Sequence, residues 1–593
     1  MIMCGISAIY RFTQITDYDK DALRKMNEEM AYRGPDGSGV WSDDTCGMAH
    51  TRLSIIGLDN GSQPLFNADG SIVLICNGEI YNYIELKKEL EGKGYVFKTD
   101  SDSETIVYAY EEYGEKCLEH FRGMFAFVLY DKRRKRLFAA RDRVGEKTLY
   151  FAQIQTGVVF STELKAILKY YIDKPQINAH ALAESIRYNY PYELRQTYIE
   201  QIKRLEAGEY AIVDEHGLEL HKYWDRYNKP LFEGTRDEAE KEIVSLMRES
   251  VGLCLRSDVP VAVLLSGGID SSAVAAMAQE TGKEIHVISA GYKGQFGCDE
   301  RVIAKRFAKE KGLIYHEVEL DANDFQNIFD EYLPRIDEPV CDVSSMSQWA
   351  LYKKAKELGF TVLLGGLGGD ELFYGYPGMN KIAESIRLTR EHQSLFPWKG
   401  KKAAFLKYML KNWRHVLYAG YPTAKIDDRL PIVWTYDDYM KFASSGKFSI
   451  NGETIDFSKI DVHFSYGMSA TEKDVYDIHF STFMNTLCLY LADRLGMGNS
   501  LELRSPLVDY KLVEFVSSLP QEMKYKADEP KMLLKSALRD IVPGYILYGQ
   551  KRGFEPPWSF IGQMCKNYSY KTIKSDHCFF NSMLADKLLS NLL

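Results

Sequence analysis

Ten cysteines are scattered along the 593 residues without a single C-x-x-C pair. That spacing gives no basis for a zinc site or a disulfide framework, and reduced, mostly buried thiols are the simpler reading. No apolar run reaches membrane-spanning length, and the start of the chain lacks a basic segment followed by a long apolar stretch. The expectation is a cytoplasmic protein with no membrane partner. Basic surplus is missing too. The net charge is -9, so nucleic acid is not expected as a partner. The run Lys132 to Arg136 reads better as a turn between two strands. Internal repeats and low-complexity tracts are also absent. What remains is ordinary globular composition, 45% apolar and 26% charged, at a length suited to about three to four domain-sized units.

The first part of the chain has short apolar runs bounded by Gly, Asn and Asp, such as Ile72 to Ile75 and Met124 to Leu129. Close spacing of such runs predicts a sheet-rich α+β unit. We expect it to span 3–226, with a linker at 227–240 around Pro230 and Gly234, and a second unit at 241–593. A helical period runs from Arg236 to Asp258. Val259 to Leu265 then forms an apolar run, followed by a glycine turn, a small-residue helix and a second run, Ile285 to Ala290. Strand, helix and strand in that order predict a parallel α/β sheet. Residues 389–470 are rich in Lys and aromatics and carry no motif.

The turn reads Ser266-Gly267-Gly268-Ile269-Asp270-Ser271-Ser272. Glycines admit a phosphate close to the backbone, and free N–H groups at a helix start favour an anion. Ser271 and Ser272 can cap the helix, and Asp270 can hold a magnesium ion bridging phosphates. A tight turn capping a core helix is the plain alternative. The pattern lacks the lysine of a Walker A loop. It resembles the pyrophosphate loop of ATP pyrophosphatases, which release AMP and pyrophosphate.

Further motifs occur in order. Met3-Cys4-Gly5-Ile6 stands near the start. It is followed by Arg33-Gly34-Pro35-Asp36, His50-Thr51-Arg52-Leu53-Ser54-Ile55-Ile56, Asn77-Gly78-Glu79-Ile80-Tyr81-Asn82 and Thr99 to Glu104. Then come Arg141 to Gly145 and Thr162 to Lys165. The second part adds Asp337-Glu338-Pro339-Val340-Cys341-Asp342 and Leu364-Gly365-Gly366-Leu367-Gly368-Gly369-Asp370-Glu371-Leu372-Phe373. Asn499 to Asp509, Pro530-Lys531 and Lys551 to Phe554 complete the set. Together they resemble the glutamine-hydrolysing asparagine synthetases from about Met3 to Pro557.

The resemblance implies an N-terminal nucleophile glutaminase of stacked antiparallel sheets with flanking helices. An α/β ATP-pyrophosphatase domain with a helical C-terminal part would follow. Cys4 would be the nucleophile, activated by its own α-amino group, whose pKa lies near ~8. That requires Cys4 to become the first residue, and we expect translation to start at Met3. Arg52 would grip the glutamine α-carboxylate and Asp102 its ammonium, as suits a guanidinium fork and a carboxylate. Leu53, Ile56 and Glu79 would complete the pocket, with Asn77 and the Gly78 amide as the oxyanion hole. An Asn-Gly pair alone reads as a β-turn.

Leu265, Ser266, Gly267, Gly268, Asp270, Ser271, Ala290, Gly365, Gly366 and Lys531 would bind ATP. Asp370 and Glu371 would bind the acceptor, Glu338 would serve as base toward ammonia, and Asp270 with Asp342 would hold Mg2+. The partners expected are glutamine and a carboxylate, aspartate by default, with a sugar uronic acid as the alternative. A homodimer is one arrangement this reading allows. The chain departs from the family pattern at Thr148, Thr162, Gly365, Leu367 and Gly549. A scaffold protein with relic motifs, an RNA-thiolating enzyme and a β-lactam-forming relative fit less well. The first conflicts with the intact Asp270, Glu338, Asp342 and Lys531, the second with the glutaminase half, and the third with Cys4.

Overall fold

The computed structural model describes residues 4–170, 175–294, 296–340, 342–377, 379–380, 383, 387, 407, 447–450, 453–456, 471–526, 528–550, 555–567, 583–585 and 587–589. Residues 1–3, Cys341 and the Lys551 to Phe554 motif lie outside this set. So does most of 389–470, within which the hairpin Lys447–Ile450 and Glu453–Asp456 is described.

Two six-stranded antiparallel sheets form the first part. One runs in the order Lys203–Arg204, Tyr150–Ile154, Gly157–Ser161, Gly5–Arg11, Cys46–Arg52, Gly37–Ser42. The other runs Gly217–Lys222, Glu209–Asp214, Arg136–Arg141, Gly123–Asp131, Ile72–Ile80, Leu65–Phe66. Side chains alternate between faces of a strand, and here both faces are apolar. Ile6, Ala8 and Met48 from the first sheet meet Val73, Ile75, Ala126 and Val128 from the second in one cluster. Ile9, Ala49 and Val159 point the other way, onto the helices Asp17–Glu29 and Leu164–Leu168. Leu74, Phe125 and Phe127 pack beneath Tyr83–Gly92 and Glu104–Tyr113. Burial on both faces makes the order helix, sheet, sheet, helix, which is why these strands read as continuous apolar runs. Lys132 to Lys135 form the turn between two strands of the second sheet.

The second part is built on a five-stranded parallel sheet ordered Ile314–Leu320, His286–Tyr292, Val261–Leu264, Val362–Leu364, Glu502–Arg504. The helix Arg236–Cys254 begins at a Thr235 and Glu238 capping box and lies on one face with Ile269–Gln279. The latter helix is almost all Ala and Ser on its buried side, so it approaches the sheet closely. Helices Ala322–Tyr332, Ser344–Glu357 and Leu489–Gly498 cover the other face. The α+β and α/β halves expected from the sequence are both present.

Candidate functional site

Cys4 opens the strand Gly5–Arg11 in the centre of the first sheet. Its neighbours are pinned: the Gly5 amide donates to Thr51 Oγ1 at 3.0 Å and the Ile6 amide to Thr162 Oγ1 at 3.1 Å. Arg33 Nε donates to the Cys4 carbonyl at 3.1 Å. The two threonines that depart from the family pattern hold each other, Thr148 Oγ1 donating to the Thr162 carbonyl at 3.0 Å. The Cys4 thiol is buried, 3.9 Å from the Leu53 carbonyl. Burial pushes it up to about 12, so it needs a base to become a nucleophile.

One cavity is lined by Cys4, Arg52, Leu53, Ile56, Gly78, Glu79 and Asp102. The structure therefore brings together every predicted glutamine-site residue except Asn77, which lies beside Gly78. The Asn-Gly pair is not a turn; it lies inside the strand Ile72–Ile80. Asn77 is fully buried, and neither its Oδ1 nor its Nδ2 has a hydrogen-bond partner. An orphaned buried amide costs about 1–3 kcal/mol, which suggests that a ligand completes it. Gly78 takes φ +149, and a Cβ there would stand 2.1 Å from the Met124 carbonyl oxygen. Only glycine fits. Arg52 is fixed by donating to the carbonyls of Gly57 at 2.6 Å and Leu58 at 3.2 Å. Asp102 accepts from the Ile80 amide at 2.7 Å, and burial pushes its carboxyl up to about 6.

The same cavity is lined by Glu502, from the last strand of the parallel sheet. Sequence reasoning missed this residue. Its motif was visible, but a motif does not say which cavity a side chain enters.

The Ser266 to Ser272 turn links the strand Val261–Leu264 to the helix Ile269–Gln279, as predicted. Ser266 and Ser271 hydroxyls share a hydrogen bond at 3.0 Å, and the Leu265 amide donates to Ile288 at 3.0 Å. Ala290 lies in the adjacent strand His286–Tyr292. The second glycine loop packs directly on this turn: a Cβ on Gly366 would lie 2.8 Å from the Ser271 amide nitrogen. Gly365 donates to the Arg504 carbonyl at 2.9 Å. Lys531 Nζ bonds Asp270 and stands 2.8 Å from Asp370 Oδ1. Burial alone would depress this lysine, but the two carboxylates more than offset it and hold it charged.

Burial, with Asp370 alongside, pushes Glu371 up to about 7. Tyr376 donates to Glu371 at 2.6 Å. Asp342 belongs to the same acidic neighbourhood, since with Glu371 and Asp370 it raises the Cys488 thiol beyond what burial does. Among the described residues no group of three or more His, Cys, Asp or Glu side chains is arranged to hold a metal. Mg2+ at a nucleotide site commonly uses one or two carboxylates with phosphates supplying the rest, and Asp270 and Asp342 are the carboxylates the sequence offers for it.

Glu338 is not part of the Lys531 cluster's contacts. It is buried against the first half of the chain, accepting from Arg204 Nη2 at 2.6 Å and from the Tyr150 hydroxyl. Nearby, Arg494 pairs with Asp337 at 3.0 Å and Asp493 at 2.7 Å, and Arg33 joins Asp493 at 2.9 Å to Glu163 at 2.9 Å. A buried ion-pair chain thus joins the two halves.

Residues 3–224 match the family model described as a glutamine amidotransferase domain, and 242–593 match the asparagine synthase model. The chain is 34% identical to asparagine synthetase (glutamine-hydrolyzing) 1 of Bacillus subtilis, over 94% of this chain and 87% of the relative. Asparagine synthetase (glutamine-hydrolyzing) 3 of the same organism is 29% identical, covering 100% and 93%. Amidase chry2 of Gibberella zeae is 29% identical, covering 94% and 89%. The chain is a glutamine-dependent, ATP-using ligase that forms carbon–nitrogen bonds, and it belongs to the asparagine synthetase family.

Proposed function

We propose that the chain converts aspartate to asparagine, with glutamine as nitrogen donor and AMP, pyrophosphate and glutamate as co-products. The observation that carries the ATP-using half of this reading is the Lys531 ammonium held between Asp270 of the serine-glycine turn and Asp370 of the second glycine loop. A fixed cation there supports assigning the serine-glycine turn to the nucleotide and Asp370 with Glu371 to the acceptor. The strongest support for aspartate is similarity to synthetases named for asparagine.

In the first half, Cys4 attacks the glutamine amide carbon. Arg52 and Asp102 hold the substrate's two charged ends, and Asn77 Nδ2 with the Gly78 amide receives the oxyanion. Ammonia leaves, and water clears the thioester. The α-amino group of Cys4 is the base once the preceding residues are removed. In the second half, the acceptor carboxylate attacks the α-phosphorus of the co-substrate ATP, and ammonia then displaces AMP. Lys531 neutralises charge growing on the departing pyrophosphate. Asp270 and Asp342 would hold Mg2+, which would supply further charge neutralisation on the phosphates when bound. Glu338 is tethered by Arg204 and Tyr150 at the junction of the two halves, and release of that tether would free it as a base toward ammonia. Free thiols among the described cysteines agree with a cytoplasmic setting.

A different acceptor, such as a sugar uronic acid, is the second reading. It is favoured by Leu367, an apolar residue packed on the core cluster where the family pattern has an acid, and by the similarity to a relative named as an amidase. Incubation with amide-labelled glutamine, ATP, Mg2+ and aspartate decides between them. Labelled asparagine with AMP is expected. Glutamate release without asparagine excludes aspartate.

A further inference from the structure

The cavity around Cys4 must accept a zwitterion. Arg52 supplies the cation for its carboxylate. Its ammonium brings three N–H donors. A single carboxylate meets an ammonium through one or two of them, and Asp102 already accepts from the Ile80 amide at 2.7 Å, so a second acid beside it would take the rest. The other acids that line the cavity are Glu79 and Glu502.

Glu502 is 1% exposed and reaches the cavity from the second half of the chain. Its carboxylate is oriented by Arg504, whose Nε donates to Glu502 Oε1 at 2.6 Å. Arg504 is itself anchored, donating through Nη1 to the carbonyls of Cys254 at 2.9 Å and Arg256 at 2.6 Å. Lys147 Nζ makes a long ion pair with Glu502 Oε2 at 4.0 Å. Arg504 Nη2 lies 3.7 Å from Glu79 Oε2. Both atoms are buried, and neither has a hydrogen-bond partner. The wall of the cavity thus holds two acids, Glu79 and Glu502, tied to one guanidinium, and Glu79 Oε2 is a buried acceptor that no hydrogen bond fills.

We propose that the synthetase half completes the glutamine pocket, with Glu502, oriented by Arg504, joining Asp102 as the receptor for the substrate's α-ammonium. This rests on the Cys4 cavity being the glutamine site. Glu502 is a substrate-binding residue in this arrangement, and Arg504 is a positioning residue for Glu502 and Glu79. The strand that carries them also accepts the Gly365 amide at the Arg504 carbonyl. The wall of the glutamine pocket is therefore one hydrogen bond away from the second glycine loop.

The test uses the full-length chain and follows glutamate release against glutamine concentration for Glu502→Gln and Glu502→Asp. Loss of a charge-assisted contact should raise the KM for glutamine about tenfold or more in Glu502→Gln, with kcat little changed. Glu502→Asp should recover part of the loss. The probe 4-carbamoylbutanoate lacks the α-amino group, so preference for glutamine over this probe should fall in Glu502→Gln. AMP release driven by ammonium chloride reports that the second half is folded. An unchanged KM in Glu502→Gln overturns the proposal. Loss of ammonia-driven AMP release in both variants also overturns it, by assigning Glu502 to the sheet's integrity. Glutamine hydrolysis that survives Cys4→Ala would overturn the reading of the cavity itself, and the proposal with it.

Discussion

At Asp102, burial and function pull in opposite directions. A carboxylate that must meet an ammonium is held in surroundings that push its pKa up to about 6. In the proposed function the ionised form binds glutamine, so a proton and the substrate would compete for it. Above pH 6 the site is ready. Below it, each pH unit should weaken glutamine binding about tenfold. A rise in the KM of glutamine hydrolysis between pH 7 and pH 5 checks this, and Asp102→Asn should remove the dependence along with most of the affinity. Asn77→Ala should lower the kcat of glutamine hydrolysis about 10²–10³-fold, the usual effect of deleting an oxyanion donor, and leave ammonia-driven AMP release intact. These residues were legible in the sequence because their types and order are distinctive. The state of Asn77 was not. The Asn-Gly pair reads locally as a turn, and its placement inside a strand is set by pairing with Phe125 and Ala126, nearly fifty residues away.

Among elements, the two glycine loops pack as one unit. The serine-glycine turn was read correctly as the link between a buried strand and a small-residue helix, because apolar periodicity and glycine placement are local signals. Its contact with the second loop is tertiary, made by the neighbouring strand Val362–Leu364. Gly366→Ala should therefore act on both loops at once, since the new Cβ would press on the Ser271 amide. AMP formation should fall while glutamine hydrolysis holds. Lys531→Met should lower AMP formation about a hundredfold or more by removing a preorganised charge. Radiolabelled pyrophosphate exchange measures both. Glu338 shows the limit of motif reading. Its motif suggests a base beside the acceptor, yet the fold surrounds it with Arg204 and Tyr150 from the other half of the chain. Nothing in the sequence near Glu338 announces those partners.

Across the whole molecule, the halves meet through charge as much as through apolar packing. Arg33, Glu163, Lys147, Asp337, Asp493 and Arg494 are all buried and joined in pairs. Removing one partner of such a pair leaves a buried charge without compensation, at a cost of about 3–5 kcal/mol. Arg494→Met should lower the urea midpoint accordingly. Because the pairs are out of water, added salt should do little to separate the halves. The two folds were readable one at a time, since each has its own periodicity. Their junction was not, because its residues come from motifs that look self-contained.

That junction also constrains how the protein can change over generations. Arg33 answers to Asp493, Arg204 to Glu338 and Arg504 to Glu79, so each half carries charges whose counterions only the other half supplies. The two halves are expected to have diversified together, each charge reversal on one side matched on the other, even where their catalytic residues never touch.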